Sequence, residues 1–269
     1  MSYQDWVGRT QHSTETFGES HNMRLAAIGD YSEVPWDHLA PLGHWTGFTP
    51  SDKQSDIGTD GHPRRGGFLP PVDLPRRMWA SGAIRFHRPI PLGVMVDRVS
   101  TISEVTTKNG KSGRLVFVVV DHRLSVNGSA VLSETQNIVY KDGDPTLTAR
   151  GGTTSPDFSR TVVPDPVLLF RYSAATFNAH RIHYDRDYAI ATEGYPDIVV
   201  QGPLSATLLL DAAARYRSDP VATFAFRGRA PLFSGSALSL NIFDRPGGLA
   251  LEAVDADGRL GMTAEVDFA

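Results

Sequence analysis

The sequence predicts an α+β fold made of two antiparallel, strand-rich halves, each associated with a helix. Three observations lead there. Short β-branched runs are set off by Gly and Pro, the same series of runs occurs twice, and few segments have helical period. The 269 residues, 41% hydrophobic and 21% charged, suffice for one large core or two ordinary ones.

The first helical segment is 17–28, where Thr16 and Glu19 stand at capping-box spacing and Met23, Ala26 and Ala27 are expected to turn inward. Three apolar runs follow at 94–105, 115–126 and 130–140. Asn109-Gly110 and Asn127-Gly128 lie between them, pairs that favour two-residue hairpin turns, so an antiparallel meander is expected. The Pro- and Gly-punctuated stretch 144–166, with Gly151-Gly152, reads as the connection between domains 1–150 and 151–269. In the second half the clearest helix is 205–217, with Leu208, Leu209, Ala212, Ala213 and Tyr216 on one face. A second strand series closes the chain at 222–226, 236–243, 249–254 and 262–268, the last introduced by Asp257-Gly258.

Phe86, Pro91 and Leu92 recur at an offset of 140 residues as Phe226, Pro231 and Leu232, which supports two related domains. Moving the 205–217 helix back by that offset lands on 65–77, where Pro70, Pro71 and Pro75 remove backbone donors. The first half is therefore expected to have lost its central helix.

Composition excludes several partners. Twenty-six Lys and Arg against 30 Asp and Glu leave a net charge of -4, so no overall basic surplus is present to hold nucleic acid or an anionic membrane. No run approaches the roughly 18 apolar residues of a membrane helix, and the first ten residues lack a basic start followed by an apolar stretch. A cytoplasmic protein is expected. With no Cys there is neither a thiolate nucleophile nor a Cys-ligated metal, so chemistry falls to His, carboxylates, hydroxyls or backbone.

The densest polar cluster is Asn178-Ala179-His180-Arg181-Ile182-His183-Tyr184-Asp185. Three readings are open. His180, His183 and Asp185 supply only three candidate metal ligands, at spacings unlike the helical metalloprotease motif, which disfavours a metal. Ordinary surface or core-edge imidazoles are the second reading. General acid–base work is the third, suited to a group with an unperturbed pKa of about 6.5. Gln201-Gly202-Pro203 stands just before the later helix, so the Gly202 N–H is placed either to meet an anionic oxygen or simply to start the helix.

The order Asn178…His183-x-Asp185, Tyr188-Ala189, then Val200-Gln201-Gly202-Pro203 and an apolar helix resembles the hydratase motif of MaoC-type hotdog proteins. In the first half, Asp60-Gly61-His62-Pro63-Arg64-Arg65-Gly66-Gly67-Phe68, Leu74-Pro75-Arg76-Arg77-Met78-Trp79 and Phe86-His87-Arg88-Pro89 are similar to the N-terminal domain of the fused, two-domain branch. The resemblance spans nearly the full length.

It implies a double hotdog and reversible hydration of an α,β-unsaturated acyl-CoA thioester, with a short branched dicarboxylic group such as mesaconyl- or itaconyl-CoA as the suggested substrate. Coenzyme A is then part of the substrate, and neither a metal nor a separate cofactor is implied. The family usually has Asp five residues before the catalytic His and Asn three before it; here those places hold Asn178 and His180. An amide takes up no proton at neutral pH. The resemblance thus gives proton transfer to His183, with His180 as the rival base, water orientation to Asn178 and oxyanion stabilisation to the Gly202 amide. Asp185 either steadies the imidazole or caps a helix. Arg64, Arg65, Arg76 and Arg77 are the candidate contacts for coenzyme A phosphates, while Trp45 and Trp79 are expected in the core. Acyl carrier protein is an alternative thioester carrier, and a homodimer is compatible but not required. A binding module without turnover and a thioester hydrolase are the competing functions.

Overall fold

The computed structural model describes residues 2–110, 113–143, 147, 149, 151 and 155–269. In the first half, strand β1 (Thr10–Thr16) and helix α1 (Glu19–Ile28) precede β2 (Arg76–Phe86), β3 (Met95–Gly110), β4 (Gly113–Val126) and β5 (Ser129–Lys141). The second half runs β6 (Phe158–Val162), α2 (Pro166–Thr176), α3 (Arg186–Ala191), α4 (Gly202–Tyr216), β7 (Val221–Gly228), β8 (Leu238–Arg245), β9 (Gly248–Asp255) and β10 (Leu260–Phe268). The expected domain boundary falls at residue 150, outside the described residues.

Rather than two separate sheets, the strands form one ten-stranded antiparallel sheet in the order β1-β3-β4-β5-β2-β7-β10-β9-β8-β6. The order reads the same from either edge once the halves are exchanged. The seam is β2 against β7, where Ala83 faces Ala225 and Gly82 faces Phe226. Gly82 is required there, since a Cβ would stand 2.6 Å from the Phe226 ring. Matching backbone bonds fix the equivalence of the halves. His87 and Arg88 donate to the Val131 carbonyl as Arg229 and Ala230 do to Gly261, and Leu39 donates to Ile90 as Val200 does to Leu232. Ile90 thus corresponds to Leu232. The triplet found by sequence offset lies two residues out of structural register, although the repeat it pointed to is present.

Helix α4 has strong helix formers, Ala and Leu, on every side, and its buried residues include Leu204, Ala206, Leu208, Leu209 and Ala213. It packs across β6 to β10 as the central helix of the second half. The first half has no counterpart. Residues 65–75 are irregular and β2 begins at Arg76, as the three prolines demand. Arg65 holds this strap by donating to the carbonyls of Val72, Leu74 and Pro75. Val72 and Leu74 then cover Val116, Val118 and Val120, alternate residues on one face of β4. A 3-10 turn, Gly43–Thr46, lies against α1 and α2 and reaches β5. Its Trp45 Nε1–H donates to the buried Glu134 carboxylate at 2.9 Å and His44 Nε2 approaches it at 3.2 Å. Burial opposes the charge of Glu134, yet His44, with help from His122 and Trp45, holds its pKa down at about 2.

Three local expectations change. Helix α1 is capped at Gly18, whose N–H donates to His21 Nδ1 at 3.1 Å, so Thr16 and Glu19 form no capping box. Its inward face is Asn22, Leu25, Ala26 and Ile28, with Met23 and Ala27 exposed. The rotation is set by Asn22, which is buried and bonds the His38 carbonyl and the Ala40 N–H. Asn109-Gly110 lies inside β3, paired with Arg114 and Gly113, and residues 111–112 that follow lie outside the described residues. Asn127-Gly128 turns as expected, both residues at positive φ (49° and 76°) between Val126 and Ser129.

Candidate active site

The polar cluster sits between α2 and α3 because α2 stops sharply. Asp165 caps its start by accepting from the Leu168 N–H at 2.8 Å, and Phe177 ends it in the left-handed region at φ 51°. The chain then turns through Asn178, whose Oδ1 accepts from the His180 N–H at 3.1 Å, into a 3-10 turn, Arg181–His183.

His183 is buried, and its Nδ1–H donates to the Val199 carbonyl at 2.7 Å. That bond fixes the tautomer and leaves Nε2 as the free lone pair. Burial lowers the His183 pKa to about 4, against the opposing pull of the Val199 carbonyl, so the ring is neutral at pH 7. His180 is lowered further, to about 2, by burial and then by His62 and His183. It is the less basic of the two motif imidazoles.

Gly202 is the first residue of α4, after Gln201. Gln201 is fully buried and its Nε2 donates to the Leu169 carbonyl and Ser173 Oγ, both at 2.9 Å, which ties the start of α4 to α2. Pro203 has no N–H, and the Gly202 N–H makes no hydrogen bond among the described residues. It is a free donor at the positive end of a 15-residue helix.

One cavity of about 440 Å³ brings these groups together. Asn178, His180, His183 and Gly202 all line it, with Arg77, Met78, Trp79 and Ala80 of β2, part of β5, and the chain after β7 on the other walls. His183 and Gly202, both from the second half, thus open onto one cavity whose opposite wall is built from β2 and β5 of the first half. The remaining sequence candidates lie elsewhere. Asp185 accepts from the Tyr188 N–H at 3.0 Å and from Arg181 at 2.6 Å, so it caps α3 and does not bond the His183 ring. Arg65 is spent on the strap carbonyls, Arg76 bonds Glu193 and its carbonyl, and Arg64 is exposed. None of these three lines the cavity; Arg77 does. Trp45 and Trp79 pack edge to face at 5.1 Å, both against Phe226, and Trp79 also forms cavity wall. No three His, Asp or Glu among the described residues are grouped to hold a metal ion.

The structure adds residues that sequence reasoning passed over. His62, from the irregular segment of the first half, lines the same cavity, as do Lys141 and Arg229. The Asp60-Gly61-His62 stretch docks on the second-half motif. The Arg181 N–H donates to the Asp60 carbonyl at 2.9 Å, and Gly61 sits at φ 87° where a Cβ would fall 1.8 Å from the Ala179 carbonyl oxygen. The signal in the sequence was chemical density: an Asp, a Gly and a His in succession within a segment of no regular structure.

Acid should destabilise this site. Because the folded pKa of His183 lies below the ordinary 6.5, protonation favours the unfolded chain as pH falls from about 6.5 toward 4. The penalty approaches about 3 kcal/mol at the low end. Denaturant unfolding at pH 7, 6, 5 and 4 should show a shallower loss of stability for His183→Gln than for the parent; equal slopes would contradict the depressed pKa.

Fold and relatives together place the chain among lyases of the hydratase–dehydratase class built as a double hotdog. Among solved structures, a MaoC-like dehydratase from Phytophthora capsici superposes with TM-score 0.76 at 13% identity, covering all of this chain and 98% of that one. A Mycobacterium tuberculosis protein described as a double hotdog matches with TM-score 0.57 at 13% identity, over 99% of this chain and 98% of that one. The chain belongs to the hydroxyacyl-thioester dehydratase type 2 family, whose model matches residues 40–234. It is 42% identical over 272 residues to the mesaconyl-C(4)-CoA hydratase of Chloroflexus aurantiacus, with 98% of this chain and 96% of that protein aligned. No helix among the described residues is long and apolar enough to cross a membrane.

Proposed function

We propose that the chain reversibly hydrates an α,β-unsaturated acyl-CoA thioester, with His183 and the Gly202 N–H as the two principal groups. The observation that carries this reading is their presence on one cavity, an imidazole whose Nδ1 is bonded and Nε2 left over, and a helix-start amide without a partner among the described residues. Water attacks the β-carbon as its proton passes to His183 Nε2. The π electrons of the double bond move toward the thioester oxygen, and the Gly202 N–H stabilises the enolate. His183 then returns the proton to the α-carbon. Asn178 helps to orient the water through its amide N–H groups.

The acyl group we propose is short and dicarboxylic, as in the mesaconyl thioester. Arg77 is half-buried in the cavity wall, beside the Tyr140 hydroxyl, and forms no ion pair among the described residues. A cation partly withdrawn from water gains from a counter-ion supplied by a ligand, and a free substrate carboxylate is the matching group. Arg77→Ala should raise KM for mesaconyl-CoA about 30-fold while changing crotonyl-CoA turnover little, since a charged hydrogen bond contributes roughly 1.5–3 kcal/mol. Equal effects on both substrates would assign Arg77 to coenzyme A instead. Lys141 and Arg229, also on the cavity, suit the nucleotide phosphates. Both halves of one chain wall the cavity, so the proposed reaction needs no second copy.

The direct test follows loss of enoyl absorbance across a panel of enoyl-CoAs and acyl carrier protein thioesters, with product mass recorded. A hydrated product supports the reading. Release of free thiol points to hydrolysis, and binding without turnover points to a binding module.

A further inference from the structure

The missing family carboxylate leaves a gap in the proposed chemistry, because Asn178 accepts no proton and its Oδ1 already takes the His180 N–H. No Asp or Glu lines the cavity among the described residues. Three imidazoles do, and they differ in what stands behind them. His183 has the Val199 carbonyl, and the His180 ring makes no hydrogen bond among the described residues, with the rings of His62 at 4.1 Å and His183 at 5.3 Å between centroids. His62 has a carboxylate. Its Nδ1 lies 3.2 Å from Asp60 Oδ2, while its backbone N–H donates to Asp60 Oδ1 at 3.0 Å. One carboxylate therefore fixes both the turn and the ring.

Resting on the hydratase reading above, we propose that His62, contributed by the first half of the chain, holds the attacking water, and that Asp60 is the positioning residue that sets its tautomer. An ionised Asp60 accepts only, so the neutral ring carries its proton on Nδ1 and offers Nε2 as an acceptor. The water then has two acceptors, one for each hydrogen. Its first O–H bond breaks as the proton passes to His183 Nε2, and the freed electron pair forms the bond to the β-carbon. The second hydrogen stays on oxygen, bonded to His62 Nε2. The proton on His183 goes to the α-carbon when the enolate collapses, so no other reactant is consumed.

The charges facing His62 from each packed element are consistent with a neutral acceptor. Burial lowers its pKa, Asp60 on the same loop raises it, and Arg77 of β2 and Arg65 of the strap lower it again, with His180 and His183 facing it from the motif. The loop is held for this purpose by the Arg181 N–H on the Asp60 carbonyl, by Arg181 Nη1 on the Thr59 carbonyl at 3.1 Å, and by the close approach at Gly61.

The test uses the full chain and an enoyl-CoA that the parent hydrates. His62→Ala should lower kcat about 100-fold with KM within threefold, and His62→Gln, whose Oε1 still accepts, should recover about tenfold of that loss. Asp60→Asn keeps the acceptor for the turn but presents an amide N–H to Nδ1, which favours the Nε2–H tautomer; kcat should fall about 100-fold, and the acid limb of its pH profile should move lower. Nitrogen-15 imidazole spectra should show His62 protonated on Nδ1 in the parent and on Nε2 in Asp60→Asn. A His62→Ala kcat within threefold of the parent, or Nε2–H in the parent spectrum, overturns the water-holding role and leaves the hydratase reading standing. A parent inactive on every enoyl thioester overturns both.

Discussion

His183→Ala is expected to lower kcat for enoyl-CoA hydration by about 1,000-fold, in the range of a removed proton-transfer group. Neither of the other candidate bases of the 178–185 motif, His180 and Asp185, can take its place. His180 is pushed to about 2 by burial and its neighbours, and Asp185 is committed to the start of α3 and to Arg181. KM should change only a few-fold, because the imidazole acts on water and not on the acyl chain. The substitution also leaves the Val199 carbonyl without its donor, at a cost of about 1–3 kcal/mol. Circular dichroism and the unfolding midpoint should therefore accompany the kinetics. A folded His183→Ala enzyme with more than a tenth of the parent kcat would remove His183 from the mechanism.

Gly202→Pro isolates the second group without touching a side chain. The preceding residue, Gln201, already lies at φ -60° and ψ 132°, the region a following proline requires, and proline is well suited to the first turn of a helix. A Cβ at Gly202 meets nothing closer than the Trp79 carbonyl oxygen at 4.0 Å. The substitution thus removes the N–H and sets the ring Cδ in its place, with the backbone path kept. The expected loss in kcat is 100- to 1,000-fold, or about 3–4 kcal/mol of transition-state stabilisation, with α4 intact. Gly202→Ala keeps the N–H and should stay within about threefold of the parent. Equal losses in both variants would mean that shape at position 202 matters and the amide does not.

Much of the architecture was legible in one dimension. Strands declare themselves by β-branched runs and turn pairs, as at Asn127-Gly128, and α4 by its Leu and Ala positions. Proline chemistry announced the absent helix at 65–77. Local patterns misled where a tertiary contact overrode them. The buried Asn22 rotated α1 away from its apolar pattern, and the β3–β4 hairpin ran past the turn that Asn109-Gly110 suggested. The motif residues Asn178, His180, His183 and Gly202 were found because they lie close in sequence or at a helix start, and Arg77 alone of four arginines met the cavity. Nothing in the side-chain types of Arg65 and Arg76 separates them from Arg77. Only the carbonyls and the Glu193 carboxylate around them do.

The sequence by itself determined the two-fold plan of strands, the loss of one central helix, the imidazole motif and the helix start beside it, because each is written in spacing and backbone chemistry within a few tens of residues. The tertiary structure decided that β2 and β7 join the halves into one sheet, and that His62, backed by Asp60, comes from the far half to line the cavity that His183 lines. Those placements depend on contacts between residues more than a hundred positions apart. Such contacts are set by packing and by the bonds of one loop on another, such as the Arg181 N–H on Asp60, and no periodicity along the chain encodes them.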